Sequence, residues 1–261
     1  MMTPSEARRL ADASGVDVAA RPTPGAPEVV ADVPARALAV YAHPDDADVS
    51  CGGTLASWAA RGCEVHLLVC TRGDKGSELA SIDVVGLVER RAAEVAAAAS
   101  VLGIARVHRL ERDDGELDND PSLRRAIVEL VRATRPEAVI CPDPTAVFFG
   151  EHYFNHRDHR CVGWATLDAL FPAVSSPLYF PDAGPPWQVG TTYLSGSLEA
   201  NVLVDISSAI EQKAEALRCH ASQVGDGSEW YGAAVRGRAA DAGRPAGVAF
   251  AEAFRRVRGT A

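Results

Sequence analysis

From Arg36 onward the chain alternates short, continuously apolar runs with longer segments whose apolar residues recur every three or four positions. The runs are ALAVYA (37–42), EVHLLVCT (64–71), VHRL (107–110) and AVICPDP (138–144). Between them, GGTLASWAARG (52–62) reads as a helix closed by Gly62. VERRAAEVAAAASVLGI (88–104) puts Val88, Ala92, Val95, Ala99 and Leu102 on one stripe and ends at Gly103. DPSLRRAIVELVRATRP (120–136) has Asp120 as a cap, Pro121 in the first turn, and a stripe of Leu123, Ile127, Leu130 and Thr134. Apolar strands separated by helices predict a sheet covered on both faces. The expected fold is α/β: a Rossmann-like, three-layer architecture with a mainly parallel sheet.

The last third changes character. SSPLYFPDAGPPWQVGTTYLSG (175–196) is rich in Pro and Gly with short strands, and SSAIEQKAEALRCH (207–220) is a helix before the closing VAFAEAFRRVRG (248–259). Residues 1–35 form an Ala/Pro-rich extension too proline-rich for regular structure, and residues 36–261 form one domain. No internal repeat is present.

Composition narrows the partners. The 261 residues are 47% hydrophobic and 23% charged, as in an ordinary packed domain, and carry a net charge of −9. Lys75 and Lys213 are the only lysines and no basic run occurs, which argues against nucleic acid. No apolar stretch is long enough for a membrane span and the N-terminus lacks the apolar core of a secretory signal, so the expected compartment is the cytoplasm. The six cysteines are scattered without a C-x-x-C, so a metal here must use histidine and carboxylate. Neither G-x-G-x-x-G after the first strand nor a P-loop is present, and TRGDKGS (71–77) has the wrong spacing for either.

Ligands in such sheets bind beyond the carboxyl ends of the strands. After the first strand, His43 and Asp46 flank Pro44 in YAHPDDADVSCGG (41–53). The fourth strand leads to FNHRDHR (154–160), with His156, Asp158 and His159. Two histidines and one carboxylate with an open position are the donor set of a hydrolytic zinc ion, and His43, Asp46 and His159 are the natural triple. Asp45 is then free to act as general base, and His156, oriented by Asp158, faces the substrate oxygen. His43, His152, His156 and His159 fall on one face, whereas His66 and His108 lie in or beside strands and read as structural. A calcium loop at DADVS fails for want of a preceding helix and the right glycine and glutamate. A haloacid-dehalogenase-type phosphatase fails because the aspartate should end the strand itself and neither lysine is suitably placed.

AHPDDADVSCGGTLA, TRGDKGS, RAAEVAAAASVLG, NHRDHR, CHASQ and AEAF, in this order over residues 36–258, resemble the PIG-L/LmbE-like family of zinc-dependent de-N-acetylases. The resemblance implies an LmbE-like fold and zinc-dependent removal of acetyl from an N-acetylated amino sugar or its conjugate. By position it makes His43, Asp46 and His159 the zinc ligands and Asp45 the base. His156 becomes the group that stabilises the oxyanion or protonates the amine, with Asp158 orienting it. Arg91 resembles a substrate-binding arginine, although pairing with Glu94 along the helix explains it equally well. Ala47 stands where the family commonly has glutamate. Phe154 stands where the mycothiol-pathway deacetylase has a tyrosine, and it cannot donate a hydrogen bond.

His220 is expected to pin a loop, and Trp230 or Tyr231 to stack on a sugar. A thiol-conjugate amidase, a metal-dependent phosphohydrolase and a non-catalytic zinc-binding protein are the competing functions. Selectivity is expected in loops 74–87, 113–120, 144–155 and 222–247. A homo-oligomer, with the extension contributing to assembly, is consistent with the resemblance.

Overall fold

The four apolar runs lie side by side in one eight-stranded sheet. The computed structural model describes residues 27–79, 81–151 and 153–259. In chain order the elements are β1 (Glu28–Val30), β2 (Arg36–Tyr41), α1 (Asp46–Ala60), β3 (Glu64–Thr71), α2 (Val84–Leu102) and β4 (Arg106–Arg112). They continue as α3 (Pro121–Thr134), β5 (Ala138–Pro142), a hairpin of β6 (Phe148–Phe149) and β7 (Tyr153–Phe154), and α4 (Arg157–Asp168). The last are β8 (Thr191–Ser195), β9 (Val202–Asp205), α5 (Ile210–Cys219), α6 (Ser228–Gly243) and β10 (Ala251–Arg258).

The strand order is β1-β9-β10-β8-β5-β2-β3-β4. Neighbours are parallel except that β10 runs antiparallel to both β8 and β9. Alternate residues of β2 enter two cores, as the period of a strand requires. Ala37, Ala39 and Tyr41 meet Leu55 and Trp58 of α1 and Val95 of α2. Leu38 and Val40 meet Ile127 and Val131 of α3 and Val162 of α4. That makes three layers around a mostly parallel sheet, the expected fold. After β2 the chain builds outward through β3 and β4, then returns to place β5 on the other flank of β2. The carboxyl ends of β2 and β5 therefore border the crevice where such sheets bind ligands.

Several local expectations change. Glu28–Val30, assigned to the extension, pairs in parallel with Val202–Val204, so the domain begins before Arg36. Residues 1–26 of that extension lie outside the described residues. Helix α1 starts at Asp46 and the glycine pair lies within it. Helix α3 matches its signals, with the Asp120 side chain accepting from Leu123 N at 2.7 Å. Helix α2 ends at Gly103 as expected, with φ 72°. Val95, Ala99 and Leu102 of the expected stripe are buried and Val88 and Ala92 are half-buried, while the buried face also takes in Leu87, Arg91, Glu94 and Ala98. A stripe read from apolar residues alone misses charged groups that face inward because partners await them. Strand β4 is an edge strand, half-buried on alternate residues.

Candidate active site

The turn after β2 closes on itself. Asp46 N donates to His43 O (3.3 Å), and His43 N donates to the Asp46 carboxylate (2.7 Å). Asp45 occupies the N-cap position of α1, yet its side chain makes no cap hydrogen bond. The carboxylate is turned elsewhere, toward Arg91 at 3.0 Å.

Three side chains converge across this turn and the start of α4, through two ring nitrogens and both oxygens of one carboxylate. His43 Nδ1 lies 3.2 Å from Asp46 Oδ2 and 3.2 Å from His159 Nε2, and His159 Nε2 lies 3.0 Å from Asp46 Oδ1. A tetrahedral ion with bonds near 2.0–2.1 Å separates its donors by about 3.3 Å, so these spacings suit one. Both rings are oriented for the task. His43 Nε2 faces Asp114 Oδ1 at 3.0 Å, and His159 Nδ1 faces Asn155 Oδ1 at 3.1 Å. Protons on those outward nitrogens leave the inward ones as lone-pair donors. Asn155 is itself fixed, its Nδ2 donating to Ala146 O at 2.7 Å.

Electrostatics point the same way. Burial opposes charge on His43, but Asp46 and the hydrogen bonds of Asp114 and Asp158 push its pKa up to about 12. Burial likewise opposes charge on Asp46, and His159 and His43 outweigh it and hold the carboxyl well below its ordinary range. The cluster thus favours positive charge among its carboxylates. It can hold a metal ion, and the donor atoms of His43, His156 and His159 also lie within 4.8 Å of one another, as do those of His43, Asp114 and Asp158. The second group uses the outward face of His43 and supports the ring rather than opening a further site.

Residues 38–170 match the family described as PIG-L: GlcNAc-PI de-N-acetylase. A diacetylchitobiose deacetylase of Thermococcus kodakarensis is 31% identical over 228 residues, covering 86% of this chain and 84% of that protein. This chain belongs to the PIG-L family. A 1D-myo-inositol 2-acetamido-2-deoxy-alpha-D-glucopyranoside deacetylase of Rhodococcus jostii is 30% identical over 247 residues, covering 72% of this chain and 82% of its own length. The structure of N,N'-diacetylchitobiose deacetylase from Pyrococcus horikoshii superposes with a TM-score of 0.79 at 25% identity, covering 99% of this chain and 94% of that one. The chain is accordingly a hydrolase of N-acetyl amide bonds.

Around the cluster of this PIG-L deacetylase, two expected residues stand differently from the sequence reading. Arg91, for which substrate binding or pairing with Glu94 was expected, pairs with Asp45 and not with Glu94. It is buried, with Nη2 donating to Asp45 Oδ1 and Nη1 to Gly73 O at 3.0 Å each. Glu94 instead accepts from Ser222 N and Oγ. The TRGDKGS loop wraps the guanidinium: a Cβ on Gly73 would fall 2.2 Å from Arg91 Nη1, and one on Gly76 would fall 2.4 Å from it.

Asp158, expected to orient His156 with its carboxylate, accepts from Gly115 N (2.7 Å) and Leu117 N (3.3 Å) and lies 3.6 Å from His43 Nε2. Its backbone N–H is what reaches His156, at Nδ1 (3.3 Å). That leaves the proton of a neutral His156 on Nε2. Burial and the nearby His43 charge lower the His156 pKa and favour this neutral ring.

His220, expected to pin a loop, bonds Asp48 at 3.0 Å, with both side chains buried. Trp230 and Tyr231 stand in helix α6 in edge-to-face contact, with exposed rings. The sequence reading missed Asp114 and Asn155. Asp114 follows β4, where the strand-end rule already pointed, and Asn155 lies four residues before His159, beside the most conspicuous motif. Among the described residues, no helix is long and apolar enough to cross a membrane.

Proposed function

We propose that the chain removes acetyl from an N-acetylated amino sugar or a conjugate of one, with zinc held by His43, Asp46 and His159. The convergence of those three side chains, with each ring nitrogen 3.0–3.2 Å from the other and from one Asp46 oxygen, carries the reading. When bound, zinc supplies Lewis acidity toward the amide carbonyl and lowers the pKa of water at its open position.

The chain's own groups divide the remaining work. Arg91 engages Asp45 Oδ1. Among the described residues Oδ2 makes no hydrogen bond, so it is the oxygen that takes the proton of the attacking water. His156 Nε2–H donates to the carbonyl oxygen as it gains negative charge. When the C–N bond breaks, the proton held by Asp45 passes to the departing nitrogen, giving acetate and a free amine. The names of the relatives support an acetamido sugar as substrate, and the neutral His156 suits an amide better than a phosphate ester.

The experiment is acetate release from N-acetylglucosamine, N,N'-diacetylchitobiose and an N-acetylglucosaminyl inositol, before and after chelation and after zinc reloading. Activity should vanish on chelation and return with zinc. A chelated sample that deacetylates as fast as the reloaded one overturns the metal role, and phosphate release without acetate release from a mixed panel overturns the reaction.

A further inference from the structure

Two side chains far from the cluster reach into the middle of the helix that starts it. Lys213 of α5 and Glu252 of β10 form an ion pair with both side chains about nineteen-twentieths buried. Lys213 Nζ also donates to Val49 O (2.8 Å), and the Glu252 carboxylate accepts from Gly53 N (3.0 Å) and Thr54 N (2.8 Å). Val49 O and Gly53 N are the two ends of a single i to i+4 rung of α1. The pair engages both.

We propose that Lys213 and Glu252 are positioning residues that set the first turn of α1, and with it the aim of Asp45 and Asp46. The contacts on Val49 O and Gly53 N fall one turn after Asp46 and fix how the start of the helix is seated. Gly53 makes it possible, because a Cβ there would sit 2.6 Å from Ile206 Cδ1 and force the backbone away from its partners. A second hold lies beside the first: His220, at the end of α5, bonds Asp48 of the same turn. Helix α5 thus grips the first turn of α1 at Val49 O and at Asp48, and β10 grips the start of the helix body.

Stability alone does not account for the pair. A buried ion pair can often be replaced by apolar residues of similar size without loss of stability. Apolar replacements could fill the space, but they could not bond Val49 O, Gly53 N and Thr54 N.

The test follows from that difference and rests on the zinc reading above. Lys213→Met, Glu252→Gln and the double variant Lys213→Met/Glu252→Leu are compared with the full-length protein and with Lys213→Arg. Three readouts are taken: zinc affinity by competition with a chromogenic chelator, kcat and KM for acetate release from N,N'-diacetylchitobiose, and the thermal midpoint. The single variants are expected to bind zinc about tenfold more weakly or worse, the range seen when groups behind metal ligands are removed. Their kcat should fall with KM unchanged, and Lys213→Arg should recover most of both. Should a single variant fail to fold, the double variant keeps the question open to answer. It is expected to melt near the parent yet retain the deficit in zinc affinity and kcat. A folded double variant with parental zinc affinity and kcat overturns the proposal. If the parent itself releases no acetate from any substrate, the proposed function fails, while chelator competition still reports on the aim of the first turn.

Discussion

Arg91 and Asp45 meet at 3.0 Å, one from the middle of α2 and the other from the turn after β2. The arginine is almost wholly buried and the aspartate only partly so. A rigid cation beneath a half-open carboxylate fixes which oxygen faces the cluster, and a proton acceptor needs that definition more than it needs extra attraction.

Replacing Arg91 by Met is therefore expected to lower kcat by about 10²-fold, the scale of a misplaced catalytic group. Zinc content should remain at the parental level when read by metal analysis. Gly73→Ala should reproduce part of this effect, since its φ of 64° disfavours a side chain and the added methyl would collide with the guanidinium.

Asp45→Asn removes the proposed proton acceptor and keeps the shape. Turnover should fall by about 10²–10⁴-fold, with zinc stoichiometry unchanged. Loss of zinc from this variant would show that Asp45 is a ligand and not the base.

Asp114→Asn and Asn155→Leu alter the groups behind His43 and His159 without touching the donor atoms. Each is expected to weaken zinc binding by roughly 10- to 100-fold in chelator competition. Unaltered affinity in both would mean that the ring tautomers are set by something other than these contacts.

Both of those residues were within reach of the sequence, and their absence from its reading is instructive. H-P-D-D and H-x-D-H stand out because several ligand types crowd into few positions after apolar strands. Asp114 and Asn155 act singly, from loops whose side chains acquire meaning only when β4 and the β6–β7 hairpin come beside His43 and His159. The same limit explains Arg91: periodicity sees apolar stripes, so it found Val95, Ala99 and Leu102 of α2 but not the guanidinium buried beside them against Asp45 and Gly73 O. The sheet core was legible from continuous Ala, Leu, Val and Ile runs. The antiparallel insertion of β10 between β8 and β9 was not, because antiparallel pairing leaves no mark in AEAFRRVR itself.

Asp120 offers a prediction separate from catalysis. Its carboxyl is held below the ordinary range by Arg112 first, then by Ser122 and the Leu123 amide. The folded value is depressed relative to the unfolded chain, so the contribution is whole above the usual carboxylate range and is lost as pH falls through the folded value. Asp120→Ala should cost about 1 kcal/mol in urea unfolding at neutral pH. The gap between parent and variant should close in acid; a constant gap would assign the effect to something other than the charged cap.

Asn155 does two things at once. Its backbone N–H and its Nδ2 tie the hairpin stem to Val147 O and Ala146 O, while its Oδ1 holds His159. The stem is therefore fixed in length by the His159 ring it holds, and the tip near Gly150 and Glu151 is not. Changes of length or side chain at that tip, with its exposed Phe148, Tyr153 and Phe154 nearby, leave the hold on His159 in place. An insertion between Asn155 and His159 would break that hold, so the room for change lies at one end of a ten-residue segment, 146–155.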